Sequence, residues 1–134
     1  MSTATARYAG NLRTEATHVA SGNTILTDAP VDNHGRGEAF SPTDLVSAAL
    51  GSCMMTIMGI VAERHQLDLT GVRWEVTKHM LAEPRRIGQI DLTFHLPATL
   101  AEKERTILEN AARTCPVALS LNPEIRQEVQ FLYA

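Results

Sequence analysis

The residues of this chain best suited to do chemistry are its two cysteines, Cys53 and Cys115. Each falls in an apolar stretch with helical character, so both can converge in one core. A thiol is a nucleophile only as the thiolate, and apolar burial raises its pKa. A reactive Cys53 therefore needs a fixed cation close by. Arg13, from an N-terminal meander, and Arg36, from a polar loop, are the inward-facing candidates. A cation in such a place needs a carboxylate to hold it, and Glu15, Glu38 and Asp44 are available. The competing account is an inert pair, since free cysteine is among the most buried residue types. Counting alone favours that second account.

Other chemistries have less support. His18, His34, His65, His79 and His95 show no metal-ligand spacing with each other or with the cysteines. His79 and His95 fall on the polar faces of two paired strands and read as solvated histidines. Neither a phosphate loop nor a dinucleotide fingerprint is present, and Gly35-Arg36-Gly37 follows no strand-to-helix pattern. Ser52, beside Cys53, has no G-x-S-x-G context. Met54, Met55 and Met58 read as flexible core filling. No cofactor and no metal is expected.

The elements that must position the thiols centre on the run from Phe40 to His65. Ser41 suits an N-cap, Pro42 the first helical position, and Asp44 the third residue of a capping box, with Asp in place of Glu. No charged residue occurs from Leu45 to Ala62, and apolar residues go all round, so this helix is expected to be buried on most sides. The run also approaches the length of a membrane span. Ser47, Gly51, Ser52, Thr56 and Gly59 dilute it, and the alternating strands downstream call for a helix to cover them. Ahead of it, residues 3 to 28 read as an antiparallel meander of about three strands, with turns at Gly10-Asn11 and Ser21-Gly22-Asn23. Residues 29 to 39 form a polar loop leading into the helix.

After His65 two alternating strands follow, around Val72–Val76 and Ile90–Leu96, reversed at Glu83-Pro84-Arg85-Arg86. Thr99 to Glu102 reads as a capping box. The next helix carries Leu100, Ile107, Leu108, Ala111, Ala112 and Cys115 on one face. Pro116 either ends that helix or starts a short new one to Leu121, and in the second case the helix dipole would lower the Cys115 pKa. A last strand covers Ile125 to Tyr133. The order β-β-β-α-β-β-α-β predicts an α+β fold with mainly antiparallel sheet around a buried central helix.

At 134 residues the chain is expected to be one domain, residues 1–134. A net charge of −3 gives no reason to expect nucleic acid or an anionic membrane as partner. The N-terminus lacks the apolar core of a signal peptide, which predicts a cytoplasmic protein, where structural disulfides are rare.

The stretch Ser41-Pro42-Thr43-Asp44-Leu45-Val46-Ser47-Ala48-Ala49-Leu50-Gly51-Ser52-Cys53 resembles a signature of the OsmC/Ohr superfamily, the osmotically inducible and organic hydroperoxide resistance proteins. Cys115-Pro116-Val117 followed by Ser120-Leu121, and the start Tyr8 to Arg13, resemble it as well. The likeness covers essentially the whole chain in order. It implies a cysteine-based thiol peroxidase that reduces organic hydroperoxides, and hydrogen peroxide less well, in oxidative or osmotic stress defence. Cys53 would be the peroxidatic and Cys115 the resolving cysteine, joined in an intrasubunit disulfide that an external dithiol reduces. Arg13 would match the family's arginine. The resemblance also implies an intertwined homodimer with its sites at the subunit interface. One departure stands out: the hydroperoxide resistance branch has a glutamate after the helix-starting proline, where this chain has Thr43 and then Asp44. Glu38 or Glu15 is then expected to hold the arginine. Two other classes remain, an OsmC-fold dimer with a different thiol or small-molecule binding role, and a dimer whose cysteines are structural. The fate of the free thiols on treatment with a hydroperoxide separates them.

Overall fold

The central helix, α1, runs from Pro42 to Arg64 in the computed structural model, which describes all residues from 1 to 134. Its start is as the sequence predicts. Ser41 N–H donates to Asp44 Oδ2 at 3.0 Å, and Asp44 N–H donates to Ser41 Oγ at 3.0 Å. Two donors without intrahelical partners are thereby satisfied reciprocally. The chain folds into two compact units, Met1–Val46 and Ser47–Ala134.

The N-terminal unit holds β1 (Ala4–Gly10), β2 (Arg13–His18) and β3 (Thr24–Asp28), an antiparallel sheet in that order. Arg13 pairs across the ladder with Asp28. A single 3-10 turn, Val31–Asn33, interrupts the loop that follows. Gly35 is required there, because a Cβ at that position would lie 1.7 Å from the Ala29 carbonyl oxygen.

The C-terminal unit holds the rest of α1, β4 (Arg73–Leu81), β5 (Arg86–Leu96), α2 (Glu102–Arg113), α3 (Pro116–Ser120) and β6 (Arg126–Tyr133). The predicted order is borne out, with α3 as the short second helix after Pro116. One pairing departs from the expected antiparallel pattern: β6 runs parallel to β5, from Gln89↔Arg126 to Leu96↔Tyr133. A parallel neighbour needs a long crossover, and α2 with α3 supplies it. The start of α2 also differs. The helix begins at Glu102, not after a cap at Thr99, and Ala101 N–H donates to Glu104 Oε1 at 2.7 Å. Arg105 holds the preceding turn open through the carbonyls of Leu100 and Ala98, each at 2.9 Å.

Leu50, Met54, Met58 and Ala62 form one stripe of α1, packed with Ile90, Leu92, Phe94, Leu96, Leu108, Ala112 and Cys115. Burial on most sides is therefore not reached within one chain. Away from the centre of this stripe Val46 and Ile60 are left exposed, since a three-stranded sheet covers a helix from one direction only. By length and composition α1 is apolar enough to cross a membrane, yet this stripe makes it the core helix of its unit.

Gly51 sets how closely α1 meets β4. A Cβ there would fall 2.1 Å from Cζ3 of Trp74, so the indole lies directly on helix backbone. Trp74 in turn packs on Phe94 at 6.1 Å between ring centroids. Gly51→Ala should therefore destabilise the protein. Overpacking a core typically costs about 1–3 kcal/mol, against about 1 kcal/mol regained by removing a mid-helix glycine. A urea midpoint at or above the wild-type value would show that Trp74 moves aside freely.

Candidate functional site

Both cysteines lie in the C-terminal unit, in one apolar cluster. Cys53 is half-buried on α1, two turns beyond the helix start region that carries Ser47. Cys115 is completely buried at the N-cap of α3, where its Sγ accepts from Ala118 N–H at 3.3 Å. Pro116 at the first position of α3 places it there, since the proline cannot continue α2. Both cysteines are free thiols, and both belong to one apolar cluster. Val117, Ala118 and Leu121 pack against the same apolar cluster.

Burial is the first cause that pushes the Cys115 thiol above its ordinary pKa, and the Cys53 thiol adds to it. This corrects the expectation of a lowered value at a helix N-terminus. The Ala118 N–H does pull the other way, but α3 spans five residues, and its dipole is outweighed by desolvation. Cys115 is thus held as a thiol near neutral pH.

The predicted cation and its carboxylates lie in the N-terminal unit, and their arrangement differs from the expected one. Arg13, half-buried on β2, donates Nε–H to Asp28 Oδ1 at 2.7 Å and Nη2–H to Asp28 Oδ2 at 2.8 Å. Asp28 is completely buried. Glu38 is a second, outer partner: its Oε1 lies 3.5 Å from Arg13 Nη2, and its own N–H donates to Asp28 Oδ2 at 3.2 Å. Glu15 is turned to Arg7, its cross-strand neighbour, at 2.7 Å. Asp44 serves the helix cap. Arg36 is exposed in the loop, and its charge is the last of the influences that lower the Asp28 pKa, the hydrogen bond from Arg13 being the first. Arg13 is correspondingly raised, first by the Asp28 hydrogen bond.

Asp28 is the residue that sequence reasoning missed. The signal was present. The Ser21-Gly22-Asn23 turn sets the register that pairs Thr17 with Thr24, and the same register carries Arg13 to Asp28. The predicted return strand ended one residue short, at Thr27.

The polar face of the second sheet carries the histidines as expected. His79 lies 2.6 Å from Asp91, and His95 lies 2.9 Å from Glu75. No group of three or more potential ligands gathers around a common point.

An α+β fold that brings two free thiols together in an apolar core is the class these features define. The sequence matches the family described as OsmC-like protein over residues 35–130, and the chain belongs to that family. It is 49% identical to a Psychrobacter arcticus protein of known structure, covering 98% of this chain and 96% of that one, with a TM-score of 0.95. Two more distant structures share the fold. One is an organic hydroperoxide resistance protein OsmC from Legionella pneumophila, 18% identical, covering 98% of both chains at a TM-score of 0.76. The other is from Vibrio cholerae, provisionally described as an organic hydroperoxide resistance protein, with captopril bound in one of its active sites. It is 16% identical, covering 98% of this chain and 92% of that one at a TM-score of 0.74. No curated protein matches the chain.

Proposed function

We propose that this protein is a cysteine-based thiol peroxidase that reduces organic hydroperoxides. The observation that carries the reading is that two free thiols, Cys53 and Cys115, share one apolar core. The Cys53 thiolate attacks the O–O bond of ROOH and takes one oxygen. The alkoxide leaves and is protonated to the alcohol. The Cys53 sulfenic acid then condenses with the Cys115 thiol, which releases water and forms an intrasubunit disulfide. An external dithiol returns both cysteines to thiols by exchange. Arg13 stabilises the thiolate and the charge that develops on the leaving oxygen.

Family membership supports this reading, as do the names of relatives. The Psychrobacter arcticus protein is provisionally described as an osmotic-stress-induced and detoxification-response protein, which fits a role in stress defence. The apolar cluster that holds both cysteines favours organic over hydrogen peroxide, because the substrate's carbon chain gains from leaving water. A cytoplasmic location fits a chemistry that depends on reduced thiols.

The test is a free-thiol titration. One equivalent of an organic hydroperoxide should consume both thiols of each chain, and a dithiol should restore them. Two intact thiols after treatment would assign the cysteines to the core and end the peroxidase reading.

The functional unit is a homodimer. Its support is the uncovered apolar side of α1, together with Tyr8 and Ile25, exposed by 65% and 51% on the first sheet. Sedimentation at micromolar concentration should give twice the 14.6 kDa chain mass. A folded monomer there would count against the dimer.

A further inference from the structure

Cys115 does more than carry a thiol: it begins α3. Its backbone is extended, with φ −68° and ψ 151°, as a residue at the N-cap requires, and its Sγ accepts from Ala118 N–H at 3.3 Å. Serine, threonine, aspartate and asparagine are the usual residues at this position, and sulfur is a weaker acceptor than their oxygens. α3 spans five residues, too few for a helix to persist by its own backbone bonds. Its turn is closed by Leu119 N–H on the Cys115 carbonyl at 3.1 Å and by Leu121 N–H on the Val117 carbonyl at 3.2 Å. From β6, Gln127 Nε2–H reaches the Ala118 carbonyl at 3.1 Å. Val117, Ala118 and Leu121 rest on the core without being fully buried, and Leu119 is 71% exposed.

Joining two free thiols means drawing two sulfurs from non-bonded contact to covalent distance, a closure on the order of 1.5 Å. The two sides are unequally able to move. Cys53 lies in the middle of a 23-residue helix, between Leu50 and Met54, which are buried in the packed core. Cys115 lies at the start of a five-residue helix held by few bonds. The movement therefore falls on Cys115, and it draws Sγ away from Ala118 N–H.

We propose that α3 is a redox-controlled latch: the Cys115 thiol caps it and holds it closed, and formation of the Cys53–Cys115 disulfide removes the cap and frees it. The inference rests on the peroxidase reading for the pairing of the two cysteines. The latch answers a problem of access. Cys115 is completely buried in the thiol state, and thiol–disulfide exchange requires the attacking thiolate to reach a sulfur. A loosened α3 gives the external dithiol its way in, and reduction restores the cap and closes the latch.

The test is amide hydrogen exchange over residues 116–121 in the dithiol and disulfide states. The disulfide is formed in two ways, with an organic hydroperoxide and with a diazene oxidant. The diazene takes two electrons and two protons from the thiol pair and becomes the hydrazine, so it needs no peroxidase activity. In the disulfide state the Ala118 amide is expected to exchange about five- to tenfold faster, the scale of a lost cap. The Leu108 amide in α2 should not change. Cys115→Ala should exchange fast at Ala118 even when reduced. Cys115→Ser, with a better acceptor at the cap, should stay protected and ignore the oxidant. Cys53→Ser keeps the cap and cannot form the disulfide, so it too should stay protected.

Equal protection of Ala118 in the dithiol and disulfide states would overturn the latch. So would a diazene-treated Cys53→Ser that loosens as the wild type does, a readout that stands if the Cys115 variants do not fold. Thiols that the diazene cannot join would overturn it as well. A hydroperoxide that leaves both thiols intact where the diazene joins them ends the peroxidase reading, and the exchange data on the diazene-formed disulfide still decide the latch.

Discussion

Replacing Cys53 with serine should end hydroperoxide consumption, a fall on the order of 10⁵ or more by comparison with removal of other enzymatic nucleophiles. A hydroxyl is a weak nucleophile unless an adjacent base activates it. Cys115→Ser should behave differently. The first turnover is retained, because the O–O bond is broken by Cys53, but the sulfenic acid has no partner and excess peroxide drives it to the sulfinic form. Mass spectrometry of the two variants checks this. One oxygen on Cys53 at one equivalent, and two at excess, are expected for Cys115→Ser. An unmodified Cys53 in that variant would show that the two thiols do not divide the work in this way.

The same geometry has a consequence for pH. Burial holds Cys115 above the ordinary thiol pKa, with Cys53 adding to the effect. A raised thiol pKa means less thiolate at a given pH, so condensation with the Cys53 sulfenic acid should accelerate as pH rises through neutrality and beyond.

Arg13→Ala is the second large effect expected. A thiolate in apolar surroundings is stabilised by a fixed positive charge, and a guanidinium supplies one without risk of deprotonation. Loss of one preorganised donor costs about 10²–10³ in rate, and a rise in the pH midpoint of Cys53 alkylation should accompany it. Arg36→Ala is the comparison. Arg36 lies exposed on the loop, and its effect should stay within a few-fold, on the scale of surface charges screened by solvent. The reverse outcome, with Arg36→Ala inactive and Arg13→Ala unchanged, would move the role to the loop arginine. If neither substitution changes consumption or alkylation, Cys53 is not an activated thiol.

Asp28 also makes the N-terminal unit acid-sensitive in a definite sense. Its folded pKa lies below the ordinary carboxylate range, chiefly through the Arg13 hydrogen bond. The stabilisation is therefore complete above the unfolded value, about 3.9, and is lost as pH falls through the lower folded value.

The element order was legible from the chain because its signals are local. The Ser41–Asp44 cap, the uncharged run to Ala62, the alternation around Trp74 and Phe94, and Pro116 after Cys115 each depend on neighbours within a few residues. The two cysteine motifs were legible for the same reason, and they carried the family resemblance. What tertiary structure decided involves groups distant in sequence. The parallel placement of β6 depends on where α2 and α3 return the chain. The one-sided burial of α1 depends on how far three strands reach around it. The thiol pKa of Cys115 depends on desolvation that outweighs a five-residue helix. Arg13 offered three plausible carboxylates in sequence, yet the β2–β3 register delivered a fourth, Asp28, fifteen residues away and fully buried. Local sequence sets which torsions and caps are favourable. Which charge meets which depends on long-range register and burial, because electrostatic partners are chosen by distance and dielectric after the strands have paired.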